Sequence, residues 1–372
     1  MSTSISRAAS LCIKKRLPFA VYMMPGSDHA IFLTGDESTQ CNSDVDRGFF
    51  ISEFNTNGRR IVIAPQYTAE QIIENADTIA QRDGAVVKPV DRSTPRDEYD
   101  NALNTVVNGL KLRGGKTVIS RVICGDAYDI DWLSVAEKYF NCFPSTFRYL
   151  YYTAATGAWI GASPELLLEC DNAGNLSTMS LAGTRMKSSN AAWDDKNREE
   201  HDYVTRYIVD KLSSLGINAT VGCAENVGYG AIEHLCHRIT ARYAGNPFIV
   251  AYTLSPTPAL AGTPLDKALN DITLNERHPR RCYGGYVGIT DSRGTHIFVN
   301  LRCVHFDESR YCIYAGGGIT AKSESATEWD ETSAKSQVQS ISHGHEQKQQ
   351  RKSVFNPVHR RGHRRRCVAA PA

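Results

Sequence analysis

Long apolar runs and paired cysteine motifs are missing from this chain of 372 residues. No stretch approaches the roughly 18–20 apolar residues that span a bilayer, and the N-terminus lacks the apolar core of a signal peptide. The 11 cysteines are odd in number and contain no C-x-x-C pair, which suits reduced thiols better than a disulfide framework. We therefore expect a cytoplasmic protein with no membrane partner.

Signature motifs of several enzyme classes are also absent. The chain has no G-x-S-x-G, no Walker A loop, no dinucleotide-binding glycine fingerprint and no H-E-x-x-H. These absences argue against serine-hydrolase, nucleotide and zincin chemistry. The apolar content of 41% and charged content of 22% are those of an ordinary globular protein with a sizeable core.

The net charge of +2 hides an uneven distribution. Residues 336–372 carry +7, which leaves −5 for the rest, so the body has no basic surplus that would attract specific nucleic acid. Residues 343–372 are rich in His, Arg, Lys and Gln without apolar periodicity, and we expect a disordered or aberrant tail there. A basic arm that adheres to nucleic acid is the alternative. The predicted catalytic domain is 1–342.

Short apolar runs between turn residues predict strands near both ends of the chain. They include FAVYMM, HAIFLTG, GFFISEF, RRIVIAP, KTVISRVICGD and IFVNLRCVHF. TGAWIGASPELLLEC and DNAGNLSTMSLAGTR read as a hairpin that turns at Asp171–Gly174. EEHDYVTRYIVDKLSSLGI has the apolar spacing of a helix, and Gly216 suits its C-terminus. This order favours one α+β domain over a βαβ array.

One predicted helix, at about 325–336, carries charged residues on one face. Glu328, Glu331 and Lys335 recur at i, i+3 and i+7. They follow the glycine triplet Gly316–Gly318, whose backbone N–H groups can approach an anion closely. The local alternatives are a solvated helix face, or a capping box in which Ser325 pairs with Glu328.

Acidic residues also open the earlier predicted helix. These residues are Glu199 and Glu200, and Glu200 together with Glu331 of the later helix could serve Mg²⁺, which takes one or two protein carboxylates together with water and ligand oxygens. The local alternative is a pair of first-turn acids favoured by the helix dipole. His234 in HLCHR could face a substrate or be a core histidine, and the segment lacks the ligand spacing of a zinc site.

Two basic residues have distinctive neighbours. Arg302 lies within the apolar run FVNLRCVHF, where an inward guanidinium needs an anionic partner. An internal ion pair or a turn of the strand toward solvent would explain it equally well. Lys116 begins a predicted strand after Gly114–Gly115, and on local grounds it reads as a surface lysine.

Taken together, ten segments resemble the chorismate-binding enzyme family, which includes isochorismate, salicylate, anthranilate and aminodeoxychorismate synthases. They occur in family order from Lys116 to Lys335, about 60% of the chain. The resemblance implies a single α+β domain in which two large, mainly antiparallel β-sheets pack together and are flanked by helices. The segments are KTVISR, GASPELLL, SLAGTR, EEHDYV, HLCHRI, LSPTPALAGTP, ERHPRRCYGG, the strand of Arg302, YAGGGI and EWDETSAK.

Four positions bear on which family activity the resemblance implies. Lys116 resembles the water-activating lysine of isochorismate and salicylate synthases, where anthranilate synthases usually carry Gln. Ala182 stands where aminodeoxychorismate synthases typically have a nucleophilic lysine, and Ala259 where salicylate synthases tend to have Thr. Ser255 departs from a histidine common in this loop. The resemblance implies conversion of chorismate to isochorismate for menaquinone or catechol-siderophore biosynthesis, with a salicylate synthase or an inactive chorismate-binding scaffold as alternatives.

The resemblance also implies the roles of the site residues. Lys116 is the implied base and Glu165 the implied acid, and Mg²⁺ is the implied cofactor. Because water is the nucleophile, no glutaminase subunit is implied, and we expect a monomer whose partner is the small molecule chorismate. The implied metal site is Glu200 and Glu331 with Glu328 and Glu199 in the water shell, and the implied substrate-binding residues are Gly183, Thr184, His234, Tyr283, Arg302, Gly316, Gly317 and Lys335.

Overall fold

The computed structural model describes residues 1–41, 47–55, 57, 59–128, 130–187, 192–229 and 232–341. The side chains at 184, 186, 196, 200, 229, 232 and 337–341 are outside this description. The predicted tail at 343–372 also lies outside the described residues.

The strands of the described chain form two antiparallel sheets. They are β1 (Phe19–Met23), β2 (Ile31–Thr34), β3 (Glu37–Cys41), β4 (Gly48–Ser52), β5 (Arg59–Ile63), β6 (Lys116–Asp126), β7 (Phe147–Thr153), β8 (Gly157–Ser163), β9 (Leu166–Asp171), β10 (Asn175–Met186), β11 (Thr220–Tyr229), β12 (Ile232–Arg242), β13 (Gly262–Thr263), β14 (Tyr286–Asp291), β15 (Gly294–Val299), β16 (Cys303–Phe306) and β17 (Arg310–Ile319). The first sheet has the order β13-β6-β17-β16-β8-β7-β1-β2, and the second has the order β11-β12-β10-β9-β15-β14-β4-β5-β3.

Helices flank the two sheets. Among the described residues, none of them is both long enough and apolar enough to cross a membrane. The sequence patterns gave no sign of the N-terminal helix or of β3. The helices are α1 (Thr3–Lys15), α2 (Ala69–Glu74), α3 (Arg96–Arg113), α4 (Trp132–Cys142), α5 (Asp195–Ser214), α6 (Pro247–Leu254), α7 (Leu265–Asn275) and α8 (Ser325–Ile341).

Aromatic side chains from both sheets build the core between them. Phe147 of β7 stacks on Phe298 of β15 with ring centroids 4.5 Å apart and planes inclined by 2°. Tyr22 of β1 contacts Phe49 of β4 across the same interface, with centroids 6.1 Å apart. Burying one such side chain stabilises the fold by roughly 1.5–3 kcal/mol. The predicted packing of two antiparallel sheets is confirmed.

Two predicted continuous strands are in fact divided between the sheets. IFVNLRCVHF splits into β15 of the second sheet and β16 of the first, and TGAWIGASPELLLEC splits into β8 of the first sheet and β9 of the second. The short connections between these strands, 164–165 and 300–302, pass from one sheet to the other and are called the crossing segments. Glu165 lies in the first, and Arg302, with φ of 47°, lies in the second. The Val299 N–H donates to the Glu165 carbonyl oxygen at 3.0 Å, so the end of β15 is hydrogen-bonded to the first crossing segment. The predicted strand through Arg302 is therefore wrong, because a left-handed residue interrupts it.

The helix predicted from Glu199 begins one turn earlier. Asp194 caps α5 by accepting a hydrogen bond from a first-turn backbone N–H, so the helix starts at Asp195. Glu199 and Glu200 therefore lie in the second turn, and the alternative of first-turn acids is wrong. The apolar stripe is confirmed, and Gly216 follows the helix with φ of 72°. The stripe consists of the buried residues Val204, Ile208 and Leu212.

The capping box considered for the last helix is also absent. The Ser325 hydroxyl donates to the carboxylate of Asp100 on α3. The Glu328 N–H donates instead to the Glu324 carbonyl oxygen at 3.1 Å. The Glu328 side chain is thus not explained by capping.

Candidate active site

Lys116 is the first residue of β6 and follows two glycines whose backbone has positive φ. Gly114 and Gly115 have φ of 72° and 85°. A Cβ on Gly115 would lie 2.1 Å from the carbonyl oxygen of Thr263, so glycine permits this close approach of β13. Lys116 is only 2% exposed. The local interpretation of a surface lysine is therefore wrong, since this side chain lies in the interior.

Glu165 lies in the crossing between β8 and β9 and is 4% exposed. Burial raises the pKa of its carboxyl group to about 8, although the nearby charge of Lys116 acts in the opposite direction. At neutral pH the Glu165 carboxyl group is therefore mostly protonated. A buried acid and a buried amine thus lie within electrostatic range of each other.

Glu165 also lies near two other parts of the predicted site. Burial is the main cause of the raised pKa of both Tyr283 and Cys236, and the charge of Glu165 adds to both shifts. Such an effect requires proximity in a low-dielectric interior. The region around Glu165 therefore includes the turn of Tyr283 and the strand β12.

Tyr283 and Gly316 approach each other closely. The Tyr283 ring stacks on Tyr314 with centroids 5.5 Å apart and planes inclined by 15°. A Cβ on Gly316 would lie 2.7 Å from the Tyr283 hydroxyl oxygen, so glycine makes room for the phenol group. Gly316 and Gly317 lie on β17 opposite Ser120 and Ile119 of β6. The glycine strand and the Lys116 strand are therefore neighbours.

Helix α8 brings charged groups to this glycine strand. Glu328 is 3% exposed, and a Cβ on Gly317 would lie 3.0 Å from its Oε2 atom. The Lys335 ammonium donates to the Glu331 carboxylate at 2.7 Å and to the Gly316 carbonyl oxygen at 3.0 Å. The predicted residues on this face of α8 thus meet β17.

His234 and Gly183 form a second contact of predicted residues. The His234 Nδ1 atom lies 2.8 Å from the Gly183 carbonyl oxygen. A carbonyl only accepts, so Nδ1 carries the proton and a neutral ring has Nε2 as an acceptor. Gly183 has φ of 72°, and a Cβ there would lie 3.2 Å from the Asn197 carbonyl oxygen of α5. Gly183 therefore lies between β12 and α5.

Arg302 has a half-buried side chain, and hydrogen bonds hold its backbone in place. Its carbonyl oxygen accepts hydrogen bonds from the Tyr139 hydroxyl at 3.0 Å and from the Ala162 N–H at 3.3 Å. These bonds hold the crossing segment against α4 and β8. The predicted contact of its guanidinium with a substrate carboxylate stays a prediction.

Three other predicted residues are placed less fully. Glu199 is exposed and accepts a hydrogen bond from the Tyr203 hydroxyl at 2.9 Å, one turn along α5. The side chains of Thr184 and Glu200 are outside the described parts of the chain. Their roles in binding substrate and metal stay predictions.

The donor atoms on α8 suit a hard cation. Within the described side chains, no group of three or more His, Cys, Asp or Glu is placed to hold a metal ion. Mg²⁺ needs only one or two protein carboxylates, because water and ligand oxygens complete its shell. Glu328 and Glu331 supply such oxygens beside the glycine strand. The residues present therefore fit Mg²⁺ bound together with an anionic ligand.

A buried ion pair that the sequence interpretation missed supports β6. The Glu276 carboxylate accepts from Arg280 at 2.6 and 2.8 Å and from the Ser120 N–H at 2.7 Å. Arg280 also donates to the Val118 carbonyl oxygen at 2.7 Å. Both charged side chains are 3% exposed. Burial opposes the charge of Glu276, but Arg280 and the hydrogen bonds hold its pKa below the usual range. The only sequence signal was the i, i+4 spacing within ERHPRRCYGG.

Two surface clefts lie apart from the acid and the amine. Their volumes are about 290 and 360 Å³, and both are lined by Glu53, Asn55 and Leu269. Neither Lys116 nor Glu165 lines them. The candidate active site is therefore defined by the buried charged groups, not by these clefts.

A family model and several known proteins match more than half of this chain in sequence. A family model described as "Chorismate binding enzyme" matches residues 52–340. The isochorismate synthase EntC of Escherichia coli K12 is 31% identical over 236 residues, which cover 59% of this chain and 60% of that protein. The salicylate biosynthesis isochorismate synthase of Pseudomonas aeruginosa is 30% identical over 252 residues, covering 64% of this chain and 52% of that protein.

The fold comparison covers more of the chain. The structure of MenF, the menaquinone-specific isochorismate synthase of Escherichia coli, superposes with a TM-score of 0.70 at 17% identity. The superposition covers 90% of this chain and 91% of that one. At this identity the likeness shows a shared fold. In sequence, the chain spans about 60% of the length of the EntC relative.

Proposed function

This chain belongs to the chorismate-binding enzyme family, and we propose that it is an isomerase that converts chorismate to isochorismate. The observation that carries the proposal is the buried pair of Lys116 and Glu165, in which the carboxyl group has a pKa of about 8. A hydration that also expels a hydroxyl group needs a base and an acid at the same time. This pair supplies both.

The proposed reaction is balanced in atoms and protons. The Lys116 amine removes a proton from water as the water oxygen bonds to C2 of the ring. The double bonds shift, the C4–O bond breaks, and Glu165 gives its proton to the departing hydroxyl group to form water. One water enters and one leaves, so the product is an isomer. Proton exchange with solvent then restores both side chains.

The neighbouring residues bind and orient the substrate. Arg302, the Tyr283 hydroxyl and the backbone of Gly316–Gly317 hold the enolpyruvyl carboxylate, since a guanidinium can bind a carboxylate through two hydrogen bonds. Gly183, Thr184, His234 and Lys335 complete the pocket. Ala182, buried beside Gly183, offers no amine that could attack C2, which favours water as the nucleophile.

Mg²⁺ fits the acidic face of α8. Glu331 and Glu200 would ligate it, with Glu328 and Glu199 bonded to its water shell. When bound, the ion neutralises and orients the ring carboxylate of the substrate. Because Lys335 holds Glu331 in the structure, Lys335 sets the position of that carboxylate.

The proposed reaction bears on which partner subunits the enzyme needs and on which pathway uses its product. Because water is the nucleophile, the enzyme requires no glutaminase subunit, and we propose a cytoplasmic monomer. Its product would enter menaquinone or catechol-siderophore biosynthesis. Incubation with chorismate and Mg²⁺, followed by chromatography, tests the reaction. Isochorismate is the expected product, and salicylate with pyruvate as the main products would instead assign a salicylate synthase.

The pH dependence of kcat/KM should have one limb with a midpoint near pH 8, the pKa of Glu165. The active free enzyme must carry a protonated Glu165 and a neutral Lys116 at the same time, so kcat/KM should rise and then fall with pH. Initial rates between pH 6 and pH 10 measure the profile. The residual activity of Glu165→Gln should lack the limb near pH 8, because this variant has no carboxyl group to titrate there. A limb near pH 8 that persists in Glu165→Gln would remove Glu165 from the acid role.

The metal requirement should respond unequally to the two acids of α8. Glu331→Gln removes a direct ligand, whereas Glu328→Gln changes a group in the water shell. We expect the Mg²⁺ concentration for half-maximal activity to rise by roughly 10–100-fold in Glu328→Gln, the range for losing a water-shell partner, and to rise further in Glu331→Gln. Activity titrated against Mg²⁺ at saturating chorismate measures the shift. Equal shifts, or a larger one for Glu328→Gln, would reverse the ranking.

A further inference from the structure

Cys124 and Cys312 lie directly opposite each other on β6 and β17. The Cys124 N–H donates to the Ser93 hydroxyl at 2.8 Å, and the Cys124 carbonyl accepts from the same hydroxyl at 3.4 Å. Both backbone groups therefore point away from β17. The two cysteines form a non-hydrogen-bonded pair, the register in which antiparallel side chains come closest. Their Sγ atoms are 2.8 Å apart.

The two thiols differ in access and acidity. Cys124 is half-buried, whereas Cys312 is fully buried. The hydrogen bond with the Cys312 thiol lowers the pKa of Cys124 against the effect of burial, and the charge of Arg310 also lowers it. The same hydrogen bond raises the pKa of Cys312. Because Cys124 is the thiol that a small molecule can reach, it is the attacking nucleophile of the pair in its thiolate form.

We propose that Cys124 and Cys312 are a redox modification site, which a low-molecular-weight disulfide converts to a disulfide bond between β6 and β17. The Cys124 thiolate attacks one sulfur of the small disulfide, forms a mixed disulfide and releases one small thiolate. Cys312 then loses its proton, its sulfur attacks Cys124 Sγ, and the second small thiolate leaves. Two protein thiols are oxidised and one small disulfide is reduced to two thiols.

This site is separate from the proposed chemistry. Cys312 precedes Gly316 by four residues on the same strand, which is about 13 Å along an antiparallel strand. The described contacts of the two sulfurs are with each other and with the Val90 carbonyl oxygen. None of these groups has a role in the proposed reaction or in substrate binding. The inference therefore does not depend on the proposed reaction.

The test uses the full chain and oxidised glutathione. After incubation, free thiols are blocked by alkylation at low pH, and the intact mass and the digested peptides are measured. We expect a peptide that links Cys124 to Cys312, two hydrogen atoms lighter than the two reduced peptides together, and full reversal by dithiothreitol. Cys312→Ser should accumulate glutathione on Cys124. Cys142→Ser, at an exposed reference thiol, should leave the yield of linked peptide unchanged.

Two results would overturn the proposal. One is a wild-type chain in which glutathione persists on Cys124 and no linked peptide appears. The other is full alkylation of both cysteines while the exposed thiols of Cys41, Cys142 and Cys223 carry glutathione. Both outcomes can be read from the wild-type protein, so they remain informative even if a variant folds poorly.

Discussion

Lys116→Gln and Glu165→Gln should each lower kcat by about 10²–10⁴-fold, the range expected when a positioned base or acid is removed. Glutamine keeps similar size and hydrogen-bonding capacity but cannot exchange a proton at neutral pH. Both side chains are buried, at 2% and 4% exposure, so water cannot readily replace either group. Steady-state rates with chorismate measure the effect, and binding of chorismate should persist in both variants.

Matched controls separate chemistry from folding. Lys111→Gln and Glu308→Gln make the same changes at exposed positions and should leave kcat unchanged. Glu165→Gln should also be at least as stable as the wild type at pH 7. The Glu165 carboxyl group has a pKa of about 8 in the folded protein against 4.5 in the unfolded chain. The wild-type protein therefore loses stability as pH rises from 4.5 to 8, whereas the Gln side chain does not titrate and causes no such loss. Wild-type turnover in either active-site variant would remove that residue from its role.

Glu276→Gln should destabilise the protein by about 3–5 kcal/mol, the range for removing one partner of a buried ion pair. Arg280 would stay buried at 3% exposure without a compensating charge. The hydrogen bonds of Glu276 to Ser120 would also weaken, which loosens the support of β6. Equilibrium unfolding in urea, followed by fluorescence and circular dichroism, measures the change.

Glu98→Gln is the matched control for that substitution. Glu98 pairs with Arg92 at 2.7 Å, but the two side chains are 23% and 55% exposed. Exposed ion pairs contribute little to stability, so this variant should unfold at nearly the wild-type urea concentration. If Glu276→Gln shifted the midpoint no more than Glu98→Gln, the buried pair would not be the support of β6 that its geometry indicates.

Local patterns predicted most strands and the α5 helix because alternation and helical spacing are decided within a few residues. They failed where the chain passes from one sheet to the other. The alternation of IFVNLRCVHF continues through Arg302, and nothing in it indicates that φ becomes 47° there. The same applies at Glu165, where β8 ends and β9 begins in the other sheet.

The candidate site was predictable only through the resemblance to a family. On local grounds Lys116 was a surface residue, and its burial depends on the approach of β13, which follows it by more than 140 residues. The contacts of Lys335 with Gly316 and of His234 with Gly183 likewise join separate elements. Glu276 and Arg280 were overlooked because their importance depends on the position of β6. Such long-range contacts leave no mark on the local sequence.

The most direct test of the central claim is to run the reaction in ¹⁸O-labelled water with chorismate and Mg²⁺, without ammonia, and to analyse the products by mass spectrometry. If Lys116 activates water for attack at C2 and Glu165 releases the C4 hydroxyl group, the product is isochorismate with one ¹⁸O atom at C2. Unlabelled isochorismate would contradict this mechanism. Anthranilate, aminodeoxychorismate or salicylate as the main product would contradict the assigned reaction itself.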